Sequence, residues 1–283
     1  MPTPDSSRYG AMVAGLLARI RQRHPLIHHM TNWVVMNDTA NLTLALGALP
    51  VMSHAKEEVA EMVGAAGALV LNPGTLYPDL VEAMLIAGAR ANQRGVPIVY
   101  DPVGVGATQY RNATAERFLA ELHLDVIRGN SGEVGSLAGA GGQVRGVESV
   151  QGVSDPAAVA RELARRRSTV VAITGKRDFV SDGKRVLGVD NGHEMLTTIT
   201  GTGCMATTAV AVFCAVEEDR LLATAAALAA YGLAAEKAAR GSAGPGSFRA
   251  ALLDCVYHLT ESDLVDGVRI VEVGQGTPDG LHG

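Results

Sequence analysis

Cysteine is scarce in this chain: Cys204, Cys214 and Cys255 are the only three in 283 residues. So few, so scattered, exclude a disulfide scaffold and a four-cysteine zinc site. Aromatic residues make up 4%, and 24 basic against 29 acidic side chains leave a net charge of −5. With no basic run and little aromatic interleaving, the electrostatic footprint of a nucleic-acid reader is missing. No uninterrupted apolar run reaches the roughly 18–20 residues of a spanning helix. The most apolar stretch, Met205–Val216, is short and carries Thr207 and Thr208. The opening MPTPDSSRYG is polar and lacks the apolar centre of a secretion signal. The expectation is a soluble protein of the reducing cytoplasm, without membrane or nucleic-acid partners. What the chain does have is core-forming material. Hydrophobic residues are 47% and charged residues 19%, which excludes a disordered chain. A domain near 300 residues hides about three quarters of its unfolded surface.

Short apolar runs alternate with longer stretches of helical period. Pro25–His29, Pro50–Ser53, Ala68–Asn72, Val96–Asp101, Val126–Arg128 and Thr169–Thr174 read as buried strands. Asn32–Leu46, Glu57–Ala65, Pro78–Arg94, Asn130–Ala138 and Pro156–Arg167 read as helices between them. Continuously apolar strands separated by helices predict an α/β fold with a mostly parallel central sheet and helices on both faces. Phe179–Ser181 and Lys184–Val189 flank Asp182-Gly183, a hairpin signal that adds an antiparallel edge. From Gly203 onward the pattern is helical, over Met205–Val216, Arg220–Arg240 and Ser247–Leu259, before an apolar run at Val268–Val273. The glycine-rich Gly139–Gly152 reads as a surface loop. A single domain over residues 1–283 is expected, with 1–7 and 275–283 as frayed tails.

In an open α/β sheet, ligands bind beyond the carboxyl ends of the strands. The residues found there are His29-Met30-Thr31-Asn32, Asp101 to Gly106, Arg128 to Glu133, and Thr200 to Cys204. In the last, Gly201 and Gly203 allow a tight turn into a helix whose free N–H groups suit phosphate or a developing oxyanion. A plain glycine-capped helix start reads equally well. As a dinucleotide fingerprint the segment is weak, and Gly175-Lys176 followed by Arg177 is not a Walker-type phosphate loop. Cys204 at this helix start has a physical reason to be reactive, since the dipole can draw a thiol from about 8.5 toward neutrality, and it also reads as a buried, inert cysteine. Cys214 and Cys255 fall within apolar patterns and are expected in the core. Asp101 and Glu133 suit magnesium, which takes one or two carboxylates plus substrate phosphates. Taken alone, Asp101 is also a turn residue and Glu133 also the acid of a helix cap. His24 and His28 are spaced i, i+4, but Pro25 disfavours a helix there, so no zinc pair is expected.

Taken together these segments resemble the hydroxyethylthiazole kinase family of the ribokinase-like superfamily. The likeness runs from Pro25 to about Leu259. It is carried, in order, by HHMTNWVVMNDTAN (His28–Asn41), LALGALPVMSHA (Leu44–Ala55), ALVLNPGTL (Ala68–Leu76), DPVGVGAT (Asp101–Thr108), IRGNSGE (Ile127–Glu133), AITGKRDFVSDG (Ala172–Gly183), TGTGCM (Thr200–Met205) and GPGSF (Gly244–Phe248). The resemblance implies a ribokinase-like fold and transfer of the ATP γ-phosphate to the primary alcohol of 4-methyl-5-(2-hydroxyethyl)thiazole, with Mg2+, in thiamin salvage. It also implies a homotrimer with sites at subunit boundaries. On the same footing, Gly201, Thr202, Gly203 and Cys204 match the anion-hole segment, with Cys204 where related enzymes carry an aspartate base. Asp101 and Glu133 match the metal side, Arg128, Thr174 and Asn130 the ATP side, and Asn32, Val34, Met52 and Gly201 the thiazole pocket. Asp38, Pro73 and Lys176 depart from the family pattern, which commonly has an aromatic, an isoleucine and an acid there. Two other functions compete: a hydrolase with Cys204 as nucleophile, and a small-ligand binder without turnover. The first would trap a covalent acyl-enzyme and need no ATP; the second would release no ADP.

Overall fold

The computed structural model describes residues 4–139 and 153–274, together with two short strands at Val144–Arg145 and Glu148–Ser149. In chain order the elements begin α1 Pro4–Arg23, β1 Leu26–Met30, α2 Met36–Leu46, β2 Leu49–Val51, α3 Val59–Ala65, β3 Ala68–Leu71, α4 Pro78–Arg94 and β4 Ile98–Tyr100. They continue with α5 Gln109–Glu121, β5 Val126–Asn130, α6 Ser131–Ala138, β6 Val144–Arg145, β7 Glu148–Ser149, α7 Pro156–Arg167 and β8 Val170–Thr174. The last are β9 Asp178–Ser181, β10 Val186–Val189, a 3-10 turn Glu194–Thr198, α8 Thr202–Cys214, α9 Arg220–Ala239, α10 Pro245–Tyr257, α11 Glu261–Gly267 and β11 Ile270–Glu272.

Nine strands form one sheet in the order β11-β10-β9-β8-β5-β4-β3-β1-β2. From β2 to β8 all neighbours are parallel; β9, β10 and β11 add the antiparallel edge around the Asp182-Gly183 hairpin. Strand side chains alternate between two cores, as the two-residue period requires. In β3, Ala68 and Val70 enter the core shared with α1, α2, α8 and α9, while Leu69 and Leu71 enter the core shared with α4 and α5. Both faces are therefore covered, and β3 is apolar and buried throughout.

The N-terminus differs from expectation. Pro4 opens α1, so residues 4–7 are helical; Val13, Leu16, Leu17 and Ile20 then bury one face of the helix. Residues 275–283 and most of 139–152 lie outside the description, although β6 and β7 pair within the segment expected to be loop. Helix α9 is long and apolar enough to cross a membrane by length and composition, but most of it is buried between its neighbours. Cys214 is buried; Cys255 is half-buried and only borders the core.

Candidate active site

Three strand ends stand level. The Asn72 N–H bonds Met30 O at the end of β1, and the Asp101 N–H bonds Leu71 O at the end of β3, each at 2.9 Å. This ladder brings Asn32, Asn72 and Asp101 side by side beyond the carboxyl edge. Each turn then fixes its own side chain. Asn32 Oδ1 accepts from Val34 N–H at 3.1 Å, and Asn72 Oδ1 accepts from Gly74 N–H at 3.2 Å. These are Asx turns, in which the side chain stands in for a backbone carbonyl. Asn32 Nδ2 donates to Asn72 Oδ1 at 2.9 Å and approaches Cys204 Sγ at 3.7 Å. Asn72 Nδ2 donates to Asp101 Oδ2 at 2.9 Å, and Thr207 Oγ1, one turn into α8, donates to the same oxygen at 2.9 Å.

Helix α8 enters this crevice through Gly201, whose φ of +86° is one that L side chains rarely adopt. A Cβ there would also lie 2.7 Å from Val35 Cγ1. Thr202 Oγ1 donates to Leu196 O at 2.7 Å, and the buried Tyr231 hydroxyl donates to Thr202 O at 3.2 Å. The helix start is thus held from both sides. At Gly203 a Cβ would meet the Arg128 guanidinium at 2.9 Å. Arg128, 8% exposed in the middle of β5, donates from Nη2 to Thr174 Oγ1 at 2.5 Å across the β5–β8 pair. Its Nε is buried without a partner.

Glu133 is the helix-cap acid. Its Oε2 accepts from Asn130 N–H at 3.0 Å, and Asn130 Oδ1 accepts from Glu133 N–H at 3.0 Å, a capping box opening α6. Glu133 Oε1 reaches further, accepting from Gly104 N–H at 2.9 Å in the loop after Asp101. Burial, then the charge of Asp101, pushes the Glu133 carboxyl up to about 7. Asp101 is raised as well, by burial, against the pull of Arg128 and its hydrogen-bond donors. Asp178, which accepts from Gly175 N–H, is pushed up to about 6 by burial despite Arg128. Asp101 and Glu133 lie buried at the same sheet edge beside the Arg128 guanidinium, and two such carboxylates are hard oxygen donors of the kind magnesium takes. Among the described residues no cluster of three metal-ligating side chains occurs. A water- and phosphate-rich magnesium coordination, using one or two carboxylates, is compatible with that.

Of the two readings of Cys204, a thiol activated by the helix start and a buried inert one, its surroundings favour the second. Burial and the Asp101 charge push its thiol up to about 12, against Asn72, Arg128 and Asn32, which favour the thiolate. The helix dipole does not win here, because its partial charge acts within a desolvated pocket already holding an anion. These surroundings favour the thiol over the thiolate at neutral pH.

The crevice gathers Asn32, Asp101, Arg128, Asn130, Glu133, Thr174, Gly201, Thr202, Gly203 and Cys204. Val34 stands apart, its side chain 63% exposed. Met52 is half-buried beyond β2, at the sheet edge, where Thr31 N–H donates to His54 Nε2 at 3.3 Å. His28 and His29 face opposite sides of β1, and each side is closed: His28 meets Ser53 O at 2.8 Å and His29 meets Thr43 Oγ1 at 3.0 Å. Both are lowered by burial, so neither is a ready proton acceptor for a nucleophilic cysteine. Asp38 is buried beside Arg249 of α10, and Lys176 is exposed. Two residues of the site escaped the sequence reading, Asn72 and Thr207. Asn72 was visible only as the residue before Pro73-Gly74 at a strand end, and Thr207 as a polar break in an apolar helix.

A family model described as the hydroxyethylthiazole kinase family matches residues 17–262. A hydroxyethylthiazole kinase of Desulforudis audaxviator is 64% identical over 262 residues, covering 93% of this chain and 96% of that one. One of Chloroflexus aggregans is 61% identical, covering 92% and 94%. The solved structure of the hydroxyethylthiazole kinase protein from Pyrococcus horikoshii superposes with a TM-score of 0.86 at 42% identity, over 93% of this chain and 99% of that one. The pyridoxal kinase of Staphylococcus aureus, at 16% identity and a TM-score of 0.60 over 88% and 98%, shares the fold alone. The fold is ribokinase-like, and the chain belongs to the hydroxyethylthiazole kinase family and is a kinase.

Proposed function

We propose that this kinase transfers the γ-phosphate of ATP to the primary alcohol of hydroxyethylthiazole, and that the crevice at the start of α8 is where it does so. The observation that carries the reading is the meeting of Asp101, Cys204 and the bare backbone of Gly203 at one helix N-terminus. Phosphoryl transfer asks mainly for positioning and for neutralisation of charge on the phosphate oxygens. Unpaired N–H groups at the start of α8 and the Arg128 guanidinium receive those oxygens. Thr174 and Asn130 flank Arg128 on the ATP side. On the thiazole side, Asn32 and Gly201 stand in the crevice with the alcohol over Cys204, while Val34 and Met52, which lie apart from it in one protomer, would join across a subunit boundary. In a loose transition state the alcohol keeps its proton until late, so a neutral thiol that orients the hydroxyl is sufficient.

Asp101 is the residue we assign to magnesium, with Glu133 behind it; Glu133 already spends both oxygens on backbone N–H groups and steadies the Gly104 loop. When bound, Mg2+ would neutralise charge on the ATP oxygens. The cysteine-hydrolase and binding-only alternatives are not favoured, since the family is one of kinases and Cys204 is protonated. We further infer a homotrimer, a single domain and a cytoplasmic enzyme. The trimer is compatible with the exposed apolar side chains Trp33 and Val34 in the turn after β1, Leu44 on α2 and Leu49 on the edge strand β2, which are 65%, 63%, 52% and 48% exposed. Exposed large apolar side chains and an open sheet edge are features that association surfaces share. The test of the function is a reaction with Mg-ATP and the thiazole alcohol, with ADP and phosphorylated thiazole both quantified. Equal amounts of the two products are expected; ADP release that ignores the alcohol would sink the reading.

A further inference from the structure

Asn72 takes none of the roles assigned above, yet its side chain joins the two halves of the crevice. It is 1% exposed. Its amide has one permitted orientation: Oδ1 already accepts from Gly74 N–H and from Asn32 Nδ2, so Nδ2 is the atom facing Asp101 Oδ2. Asn32 is fixed the same way, since its Oδ1 accepts from Val34 N–H. Reversing either amide would set donor against donor, so backbone N–H groups dictate both. Space is as tight as polarity. A Cβ on Gly74 would lie 2.7 Å from Asn32 Nδ2, so the loop after β3 closes directly over Asn32. At the far end Thr207 holds the same Asp101 oxygen from α8. A continuous run of hydrogen bonds therefore joins β1, β3, β4 and α8.

We propose that Asn72 is a positioning residue for phosphoryl transfer, holding Asn32 on the alcohol side and Asp101 on the phosphate side at a fixed spacing. This rests on the site reading given under Proposed function. Misplacement by about 1 Å in such a site costs on the order of a hundredfold in rate. Loss of a hydrogen bond to a charged group corresponds to about tenfold to a hundredfold. A positioning role lowers kcat without weakening ATP binding, whereas a purely structural role lowers the amount of folded enzyme.

The experiment uses the full chain carrying Asn72→Ala or Asn72→Asp, with Asn32→Ala and Thr207→Val for double-variant cycles. Expected is a fall in kcat of about tenfold to a hundredfold with KM for ATP within about twofold. The double variant Asn72→Ala/Asn32→Ala should lose no more than the worse single variant, because both act through one connection. Loss of kcat that follows loss of thermal stability and adds across the two sites would overturn the proposal, as would unchanged kcat. Should Asn72→Asp fail to fold, Asn72→Ala carries the comparison. A second arm needs no turnover, so it separates failure of this inference from failure of the substrate assignment. Trp33, the chain's single tryptophan, follows Asn32. Its fluorescence anisotropy should fall in Asn72→Ala and stay at the parent value in Thr207→Val. Parent-like anisotropy in Asn72→Ala would overturn the proposal even if the parent enzyme used another alcohol.

Discussion

Burial decides the chemistry of single residues here, often against what their sequence neighbours suggest. Cys204 sits at a helix start, a setting that ordinarily favours thiolate, yet desolvation and Asp101 leave it protonated. Iodoacetamide should therefore modify Cys204 slowly at pH 8, far below the rate of a free thiol, as followed by intact mass. His29 offers a pH test of the fold. Its folded pKa is lowered to about 3, chiefly by burial, against an ordinary value of 6.5. The unfolded chain takes up a proton that the folded one refuses, so this contribution is present above 6.5 and lost as pH falls toward 3. The shift corresponds to a contribution on the order of a few kcal/mol. Glu133 has the opposite sign: an acid raised from 4.5 to about 7 contributes stability below 4.5 that is lost as pH rises through 7. Melting curves of parent and Glu133→Gln, without magnesium or nucleotide, separate the two. The parent should lose more stability than the variant between pH 5 and 7.5, by about 3 kcal/mol at most; parallel curves would remove the strained carboxyl. The positions of Cys204, Asp101 and Glu133 were legible because each follows a strand or starts a helix. Their protonation was not, because it depends on neighbours brought together from separate strands.

At the scale of elements, the start of α8 contrasts two glycines. Gly201→Ala places a side chain at a φ of +86° and against Val35, so it should destabilise the protein by about 1–3 kcal/mol along with its activity. Gly203→Ala meets only the guanidinium end of the Arg128 side chain and no backbone. It should melt near the parent temperature while raising KM for ATP, because Arg128 must move. Equal thermal losses in both variants would contradict the distinction. Elements with a strong apolar period were readable: Pro78–Arg94 and Pro156–Arg167 have the bounds their pattern implies. Helix α5 escaped because QYRNATAERFLAE buries only Thr114, Ala115 and Phe118, too few to make a stripe. Helix α1 escaped behind its polar first residues, and the expected start of α2 at Asn32 came too early because the Asx turn at Asn32 delays the helix to Met36. That delay leaves the Asn32 side chain free to enter the crevice.

For the whole molecule, parallel strands bring carboxyl ends together from residues 30 to 174 of the chain, and α8 closes the crevice from residue 202. The fold class was legible from the alternation of short and long apolar patterns. The strand order was not, because nothing local in β1 dictates that it lies between β2 and β3. If the apolar edge at β2 joins subunits, activity should fall with dissociation when sedimentation and turnover are followed on dilution; a fully active monomer would contradict a shared site. The central claim is direct phosphoryl transfer to an alcohol held over a protonated, non-nucleophilic Cys204. Its most direct test is the steady-state rate of parent, Cys204→Ala and Cys204→Asp, with intact mass recorded during turnover. The account predicts a slowed but measurable Cys204→Ala, a Cys204→Asp at least as fast as that variant, and no covalent adduct on the parent. A covalent adduct on the parent together with folded, substrate-binding but inactive variants would contradict it.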